Sequence, residues 1–175
     1  MIKKFAIGIL VIIGIIVGLA LTKPDSYTVT RTIAIKAPPE KIIGLVSDFH
    51  QWGSWSPWEK LDPNMVRTFS GAQSGKGAVY HWKGNDEVGE GRMEITDVAM
   101  PGKVLIKLDF IDPFESNNTT EFTFAPQGDT TTVTWSMHGP MAFTTKLMSV
   151  FSSMDAMIGK DFEKGLAQMK TVAEK

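Results

Sequence analysis

The sequence predicts an α+β protein in which a curved antiparallel sheet of about seven strands packs around one long C-terminal helix, preceded by a single N-terminal transmembrane helix. Three observations support this fold class. Apolar residues recur every three or four positions across residues 143–174, which is the spacing of one helix face. Before that stretch, short segments alternate apolar and polar residues between turn residues, as half-buried strands do. Residues 5–21 form a run without a charge.

The C-terminal stripe organises the predicted fold. A continuous helix of about thirty residues would run about 45 Å, and an apolar stripe of that length needs a broad cover. The curved sheet is the available cover, so we expect Phe151 to lie in the core and Phe151→Asp to prevent folding. Thr144 or Thr145 is expected to cap the N-terminus of this helix. The stripe consists of Leu147, Phe151, Met154, Ile158, Phe162, Leu166 and Met169.

The N-terminal run predicts a membrane anchor. Residues 5–21 are seventeen uncharged residues, of which twelve are Phe, Ile, Leu or Val. They would span roughly 26 Å, slightly short of a ~30 Å hydrocarbon core, and the flanking lysines can snorkel. The alternative is a signal peptide cleaved after Ala20, which the long apolar run disfavours. Because Lys3 and Lys4 precede the run, we expect a single-pass anchor with a cytoplasmic N-terminus and an extracytoplasmic, periplasmic domain.

Length and composition suit one domain with an appendage. The chain has 175 residues, 43% of them hydrophobic, and a net charge of −1. We divide it into an anchor (1–22), a linker (23–26) and a domain (27–175). The lack of cysteine excludes disulfides, thiolate nucleophiles and cysteine-ligated metals, and no basic patch points to nucleic acid. No cofactor motif is present, so none is expected, and the oligomeric state is not indicated.

Seven segments show the alternation of strands. They are residues 27–36, 65–70, 78–83, 90–96, 104–110, 120–124 and 131–137. Short turns between the last six predict an antiparallel meander with one wet and one apolar face. Arg31 is the one charge in phase with an apolar face. We expect it to pair with an acid on the last helix, Asp155 or Glu163; the alternative is recognition of a ligand's anionic head.

A proline-led helix and a tryptophan-rich loop follow the first strand. Pro38 and Pro39 stop the strand and suit the first positions of a helix. Residues 52–58 then hold three tryptophans, interrupted by Gly53 and Pro57, and this segment, the tryptophan loop, predicts neither a strand nor a regular helix. Two compatible interpretations follow. The loop can close the end of the core, and it can form an aromatic lip on a ligand cavity, with indole N–H groups facing water.

These elements resemble the helix-grip superfamily of START-like lipid-transfer domains, and most closely the polyketide cyclase/dehydrase-like branch of SRPBCC proteins. The residues that carry the resemblance are Ala37-Pro38-Pro39-Glu40, the tryptophan loop with Ser56-Pro57-Trp58, Gly75-x-Gly77-x-x-Tyr80-x-Trp82-x-Gly84, Gly89-x-Gly91 and Asp161-Phe162-Glu163-x-Gly165-Leu166. The resemblance covers the chain from Tyr27 to the C-terminus. It implies a curved sheet gripping the last helix, with an apolar cavity between them.

Candidate catalytic groups are few. By alternation, His81 and His138 point to solvent, and His50 lies near the end of the first helix, so no metal site is expected. The strand carboxylates also fall on the wet face, so no acid–base pair converges inward. No catalytic residue is therefore assigned. These carboxylates are Glu90, Glu94, Asp109 and Glu121.

Three functions remain open. The leading hypothesis is a membrane-tethered module that binds a lipid or polyketide-like molecule in the cavity. The second is a cyclase or dehydratase using that cavity, and the third is a packed, partner-binding domain. Arg31 is the possible polar anchor. The expected cavity residues are Trp52, Trp55, Trp58, Tyr80, Trp82, Met93, Ile95, Leu108, Phe110, Phe122, Phe124, Trp135, Met137, Phe151 and Met154.

Overall fold

A computed structural model describes residues 2–100 and 102–175. An apolar helix, a strand and a short helix are followed by two 3-10 turns, six strands and two C-terminal helices. The helices are α1 (Ile2–Leu21), α2 (Pro39–Ser47), α3 (Phe143–Ser149) and α4 (Met154–Ala173), and the 3-10 turns are Phe49–Ser54 and Trp58–Lys60. The strands are β1 (Ser26–Ile35), β2 (Val66–Gly71), β3 (Ala78–Lys83), β4 (Glu90–Ala99), β5 (Lys103–Asp112), β6 (Ser116–Gln127) and β7 (Thr130–Pro140).

All seven strands form one antiparallel sheet in the order β1-β7-β6-β5-β4-β3-β2. β2 to β7 pair with their chain neighbours, and the first strand closes on the last. The pairing of β4 with β5 is irregular between Ile95 and Asp97, and such a bulge bends a strand and increases its twist. The predicted α+β helix-grip architecture is confirmed: alternate residues of β3 to β7 are buried on one curved face.

The prediction of one continuous helix across residues 143–174 is wrong, because the chain forms two helices there, with a break before Met154. The hydroxyl of Ser153 accepts a hydrogen bond from the backbone N–H of Ala156 at 3.1 Å, which caps α4 as a new helix. α3 packs mainly against α1, so the stripe before the break does not continue onto the sheet. Phe151 lies in the break and is 76% exposed, which corrects its expected place in the core. Neither Thr144 nor Thr145 caps α3, which has Ala142 at its N-cap and no side-chain cap bond.

α4 packs on the sheet through a close aromatic contact. The rings of Trp135 on β7 and Phe162 on α4 are stacked, with centroids 4.0 Å apart and an interplanar angle of 11°. Gly165 permits this approach, since a Cβ there would lie 2.9 Å from Cζ3 of Trp135. The helix is thereby fixed at the distance that two stacked rings require.

Arg31 anchors α4 to the edge strand β1. Its Nε lies 2.6 Å from Oε1 of Glu163, and its two terminal nitrogens lie 2.7 and 3.0 Å from the Asp155 carboxylate. A Cβ at Gly159 would lie 2.1 Å from Nη2 of Arg31, so glycine leaves room for the guanidinium. The expected pairing with an acid on the last helix is confirmed for both candidate acids.

The tryptophan loop supplies hydrogen-bond donors to the last turn of α2. The indole N–H of Trp52 donates to the carbonyl of Val46 at 3.0 Å, and that of Trp55 donates to Leu45 at 2.9 Å. Both carbonyls lie in the last turn of α2, where helix carbonyls lack intrahelical partners. The expectation that these N–H groups face water is therefore wrong for Trp52 and Trp55, which fasten the loop to the core.

Candidate functional site

A cavity of about 230 Å³ lies between the inner face of the sheet, the tryptophan loop and α4. Apolar side chains form most of its wall. Nine residues predicted from the sequence line it: Trp52, Trp58, Tyr80, Trp82, Met93, Leu108, Phe110, Trp135 and Met137. The alternation of β3 to β7 buries nine of the ten predicted strand residues on one face of the sheet, with Phe110 partly buried, and two tryptophans of the loop close one side.

Six predicted cavity residues lie elsewhere, and Arg31 also does not line the cavity. Four of them are buried in the surrounding core and do not line the cavity: Trp55, Ile95, Phe122 and Phe124. Met154 packs partly buried against that core. Phe151 is exposed in the break before α4. Periodicity identifies the buried face correctly but cannot separate residues that line a void from residues that fill the core.

Eight lining residues were not predicted. They are Ser56, Glu59, Met65, Glu87, Val88, Thr120, Ile158 and Phe162. Ile158 and Phe162 belong to the apolar stripe of the C-terminal helix, so periodicity contained a signal for them. Thr120 lies on the buried face of β6. It was not among the expected cavity residues because that set contained only apolar and aromatic side chains. Nothing in the spacing of Glu59 marks its carboxylate for burial.

The outer part of the wall is partly exposed and forms a rim. Trp58, Phe110 and Ile158 are each half-buried, as is Val88 in the connection between β3 and β4. The indole N–H of Trp82 donates to the carbonyl of Val88 at 3.0 Å, which fixes this connection against the sheet. The rim therefore joins four separate parts of the chain: the tryptophan loop, the connection between β3 and β4, β5 and α4.

One charged side chain with a buried carboxylate, Glu59, lies in the wall of this apolar cavity and pairs with Arg67 outside it. Glu59 has a side chain only 8% exposed, and its Oε2 lies 2.7 Å from Nε of Arg67. The hydroxyl of Tyr80 donates to Oε1 of Glu59 at 2.6 Å. Burial and then the bond to Glu59 raise the pKa of Tyr80, so its hydroxyl stays protonated as a donor. Arg67 also donates to the backbone carbonyls of Met65 and Glu59, which holds the arrangement in one geometry.

Three further polar side chains line the cavity: those of Ser56, Thr120 and the exposed Glu87. Ser56 and Thr120 are 2% and 3% exposed, and both carry hydroxyls. The indole nitrogen of Trp135 is buried and has no hydrogen-bond acceptor among the residues that the structure describes. The cavity thus combines an apolar surface with a small number of fixed polar groups, the usual composition of a small-molecule site.

The histidines and the strand carboxylates lie away from the cavity. His81 pairs with Glu90 at 3.1 Å on the outer side of the sheet, and His50 pairs with Asp48 at 2.9 Å. His138 is exposed at the end of β7. Within residues 2–100 and 102–175, no three His, Asp or Glu side chains cluster closely enough to hold a metal ion. Two carboxylates line the cavity, Glu59 with a buried side chain and Glu87, which is exposed.

Solved structures with the same fold differ widely in sequence. The chain is similar to ginseng major latex-like protein 151 from Panax ginseng (14% identity, TM-score 0.63), covering 86% of this chain and 99% of that one. It is also similar to protein CV1439 from Chromobacterium violaceum (14% identity, TM-score 0.59), covering 87% and 99%. The di-domain ARO/CYC protein BexL from the BE-7585A biosynthetic pathway matches with 16% identity and a TM-score of 0.62, covering 91% of this chain and 53% of that chain.

A comparison with curated proteins gives no match. A family profile described as "Polyketide cyclase / dehydrase and lipid transport" matches residues 26–174, which include the whole sheet and both C-terminal helices. The tryptophan loop, all the residues that line the cavity, and α4 lie within this match. The chain belongs to the polyketide cyclase/dehydrase and lipid transport family.

Proposed function

We propose that this protein is a membrane-tethered module that binds an apolar small molecule in the cavity between the sheet and α4. The observation that carries the proposal is the cavity itself, which a domain with a fully packed interior would lack. The family description joins polyketide chemistry with lipid transport, and both involve apolar ligands. Fixed polar groups in an otherwise apolar wall would orient such a ligand.

The cavity volume limits the ligand's size. About 230 Å³ is below the ~300 Å³ at which typical ligand pockets begin. A water molecule occupies about 30 Å³ in the liquid, so the volume corresponds to roughly eight water-sized groups. We therefore expect a ligand with a compact apolar part of about this size, with any longer chain leaving through the rim at Val88 and Ile158.

The tether in this proposal is α1. By length and composition, residues 3–21 are able to cross a membrane, and a signal sequence would have the same character. α1 contacts α3, and Ala20 near the end of α1 is buried. On or directly after α3, Phe143, Met148 and Phe151 are exposed, and such side chains suit the interface beside a membrane span. Lys3 and Lys4 favour a cytoplasmic N-terminus, with the domain on the opposite side.

Native mass spectrometry of the full chain with 2-nonanone tests the binding proposal. We expect one bound molecule per chain. Leu108→Trp would add bulk to the lined volume and should abolish binding, whereas Leu61→Trp adds the same ring at an exposed position outside the cavity and should not. Absence of a bound molecule in the wild type, or equal binding to a folded Leu108→Trp variant, would contradict the proposal.

Glu59 favours a second candidate function, an enzyme of the cyclase or dehydratase type. Those reactions need a base that removes a proton next to a carbonyl, and a buried carboxylate in the cavity wall has the required chemistry. The test is exchange of the α-hydrogens of 2-nonanone for deuterium. An enzyme would accelerate exchange and Glu59→Gln would stop it, whereas a binding module would leave the uncatalysed rate unchanged.

A further inference from the structure

One end of the sheet lies next to the end of α1. β1 begins beside the end of β7, because Ser26 pairs with Pro140. The antiparallel order puts the start of β6, the end of β5, the start of β4 and the end of β3 on the same side. The five Cα-to-Cα steps from Leu21 to Ser26 reach at most about 18 Å. This side of the sheet, the anchor end, therefore stays close to the proposed membrane span.

Three of the four residues at the cavity rim lie at the anchor end. Val88 belongs to the connection between β3 and β4, and Phe110 lies two residues before the end of β5. The first turn of α4 pairs with Arg31 of β1 and its last turn with Ala34, so α4 runs in the same direction as β1. Ile158, the fifth residue of α4, therefore also lies toward the anchor end. The cavity opens on this side.

Large apolar side chains are exposed around the anchor end. Ile111 and Phe114 lie at the end of β5 and in its turn to β6, and Phe143 and Phe151 lie at the start of α3 and just after it. All four are at least 43% exposed. In the turns at the opposite end, Met100 is the one exposed large apolar residue among those that the structure describes. Exposed apolar surface that is concentrated in this way marks an interaction site.

α3 lies alongside the last part of α1. The main contacts of α1 are with α3, and of the described α1 side chains only Ile16, Val17 and Ala20 are not exposed. Ile16 lies five residues before the end of α1, about 8 Å at 1.5 Å per residue. Lys146 of α3 also pairs with Asp25 in the connection to β1. If α1 spans a bilayer, these contacts hold α3 at about the 5–10 Å depth of an interfacial helix.

We propose that the anchor end docks on the lipid bilayer that α1 spans, with Phe114 and Phe151 inserted at the interface and the cavity entrance facing the membrane. This inference rests on the proposed tether and cavity, and it adds the orientation of the domain. An apolar ligand then passes between lipid and cavity without crossing water. Because α1 already holds the domain at the surface, docking is intramolecular and a few inserted side chains suffice.

Charge at the anchor end indicates which lipid surface fits. Asp112 and Glu115 flank the turn that carries Phe114, and Asp86 and Glu87 lie in the connection between β3 and β4. Anionic headgroups would repel these carboxylates, so docking depends on apolar insertion rather than on attraction to charge. A zwitterionic surface such as phosphatidylcholine is therefore the expected partner.

Single cysteines allow the orientation to be measured, because the chain has no cysteine of its own. Phe114→Cys, Phe151→Cys, Met100→Cys and Ile12→Cys each carry a spin label in the full chain, in phosphatidylcholine nanodiscs. Electron paramagnetic resonance then compares collisions with oxygen, which concentrates in lipid, and with a water-soluble nickel complex. Oxygen collisions should dominate at positions 114 and 151, as at position 12 within α1, whereas nickel collisions should dominate at position 100.

Variants and a second lipid complete the test. Phe143→Asp should shift a label at position 114 toward water, and Met100→Asp should not. Labels at 114 and 151 as accessible to nickel as the label at 100, with position 12 in lipid, would overturn docking but leave the tether. Position 12 in water would overturn the tether itself, and 2-nonanone binding tests the cavity independently of both results. Deeper insertion of positions 114 and 151 in phosphatidylglycerol than in phosphatidylcholine would overturn the apolar basis of docking.

Discussion

Trp55 and Trp58 lie three residues apart in one loop, yet their removal should have different consequences. Trp55 is completely buried and donates its N–H to the carbonyl of Leu45 at 2.9 Å. Trp→Ala in a core costs about 3–5 kcal/mol, and the Leu45 carbonyl would lose its partner at a further cost of about 1 kcal/mol or more. The sum is about 4 kcal/mol or more, a large part of a typical ~5–15 kcal/mol stability.

Trp58→Ala should cost less, at most about 2 kcal/mol, because this ring is half-buried at the cavity rim. It should instead weaken binding of 2-nonanone. The measurement is equilibrium urea unfolding of the full chain in nanodiscs, paired with a ligand titration of each variant. Trp55→Phe serves as the control that keeps a ring but removes the N–H. A smaller loss of stability for Trp55→Ala than for Trp58→Ala would refute the assignment of Trp55 to the core.

Three further predictions concern the C-terminal helices and the anchor. Phe151→Asp should change the free energy of unfolding by less than about 0.5 kcal/mol because Phe151 is exposed, whereas Phe162→Asp should prevent folding because Phe162 is buried. Urea unfolding measures both variants, and equal stability of the two would contradict this prediction. The hydrogen bonds of Arg31 hold the pKa of Asp155 below its usual 3.8, so this carboxylate stabilises the fold above about pH 4 and loses that contribution as the pH falls through its native pKa. Asp155→Asn should therefore be less stable than the wild type at pH 7, and the difference should shrink as the pH is lowered; a difference that does not change with pH would reject the ion pair as the cause. Protease added to spheroplasts should digest the domain, and full protection would place it in the cytoplasm.

The sheet was predictable because its signal is local. Alternation along β3 to β7 assigns each residue to one of two faces, and the buried face in the structure is the predicted one. Pro39 begins α2, as the preference of proline for the first helical turn indicates. Such features depend only on residues close together in the chain. They are therefore readable without the tertiary structure.

The break before α4 was not predictable from periodicity. The apolar spacing continues through Phe151 without interruption, and only the Ser153 cap and the packing of α3 on α1 divide the stripe. Serine is common both in exposed helix positions and at caps, so its presence did not decide between them. The contact between α1 and α3 depends on segments more than a hundred residues apart, which spacing cannot reveal.

The polar part of the site was missed for a similar reason. Glu59 immediately follows the tryptophan loop, but its burial depends on Arg67 from β2 and Tyr80 from β3, which reach it only in the folded chain. A charged residue is rarely buried unless it is paired, so the sequence alone favours exposure. The free N–H of Trp135 is likewise a property of packing. Its recognition required knowing which carbonyls the other tryptophans use.

Methionine methyl NMR tests ligand binding in the cavity most directly, because the chain contains its own controls. Met65, Met93 and Met137 are buried and line the cavity, whereas Met100, Met148 and Met157 are exposed elsewhere. With ¹³C-methyl-methionine in the full chain in nanodiscs, titration with 2-nonanone should shift the first three resonances saturably, with one common dissociation constant. The exposed three should remain in place. Shifts confined to the exposed methionines, or no saturable shift of the cavity methionines, would contradict a ligand site between the sheet and α4.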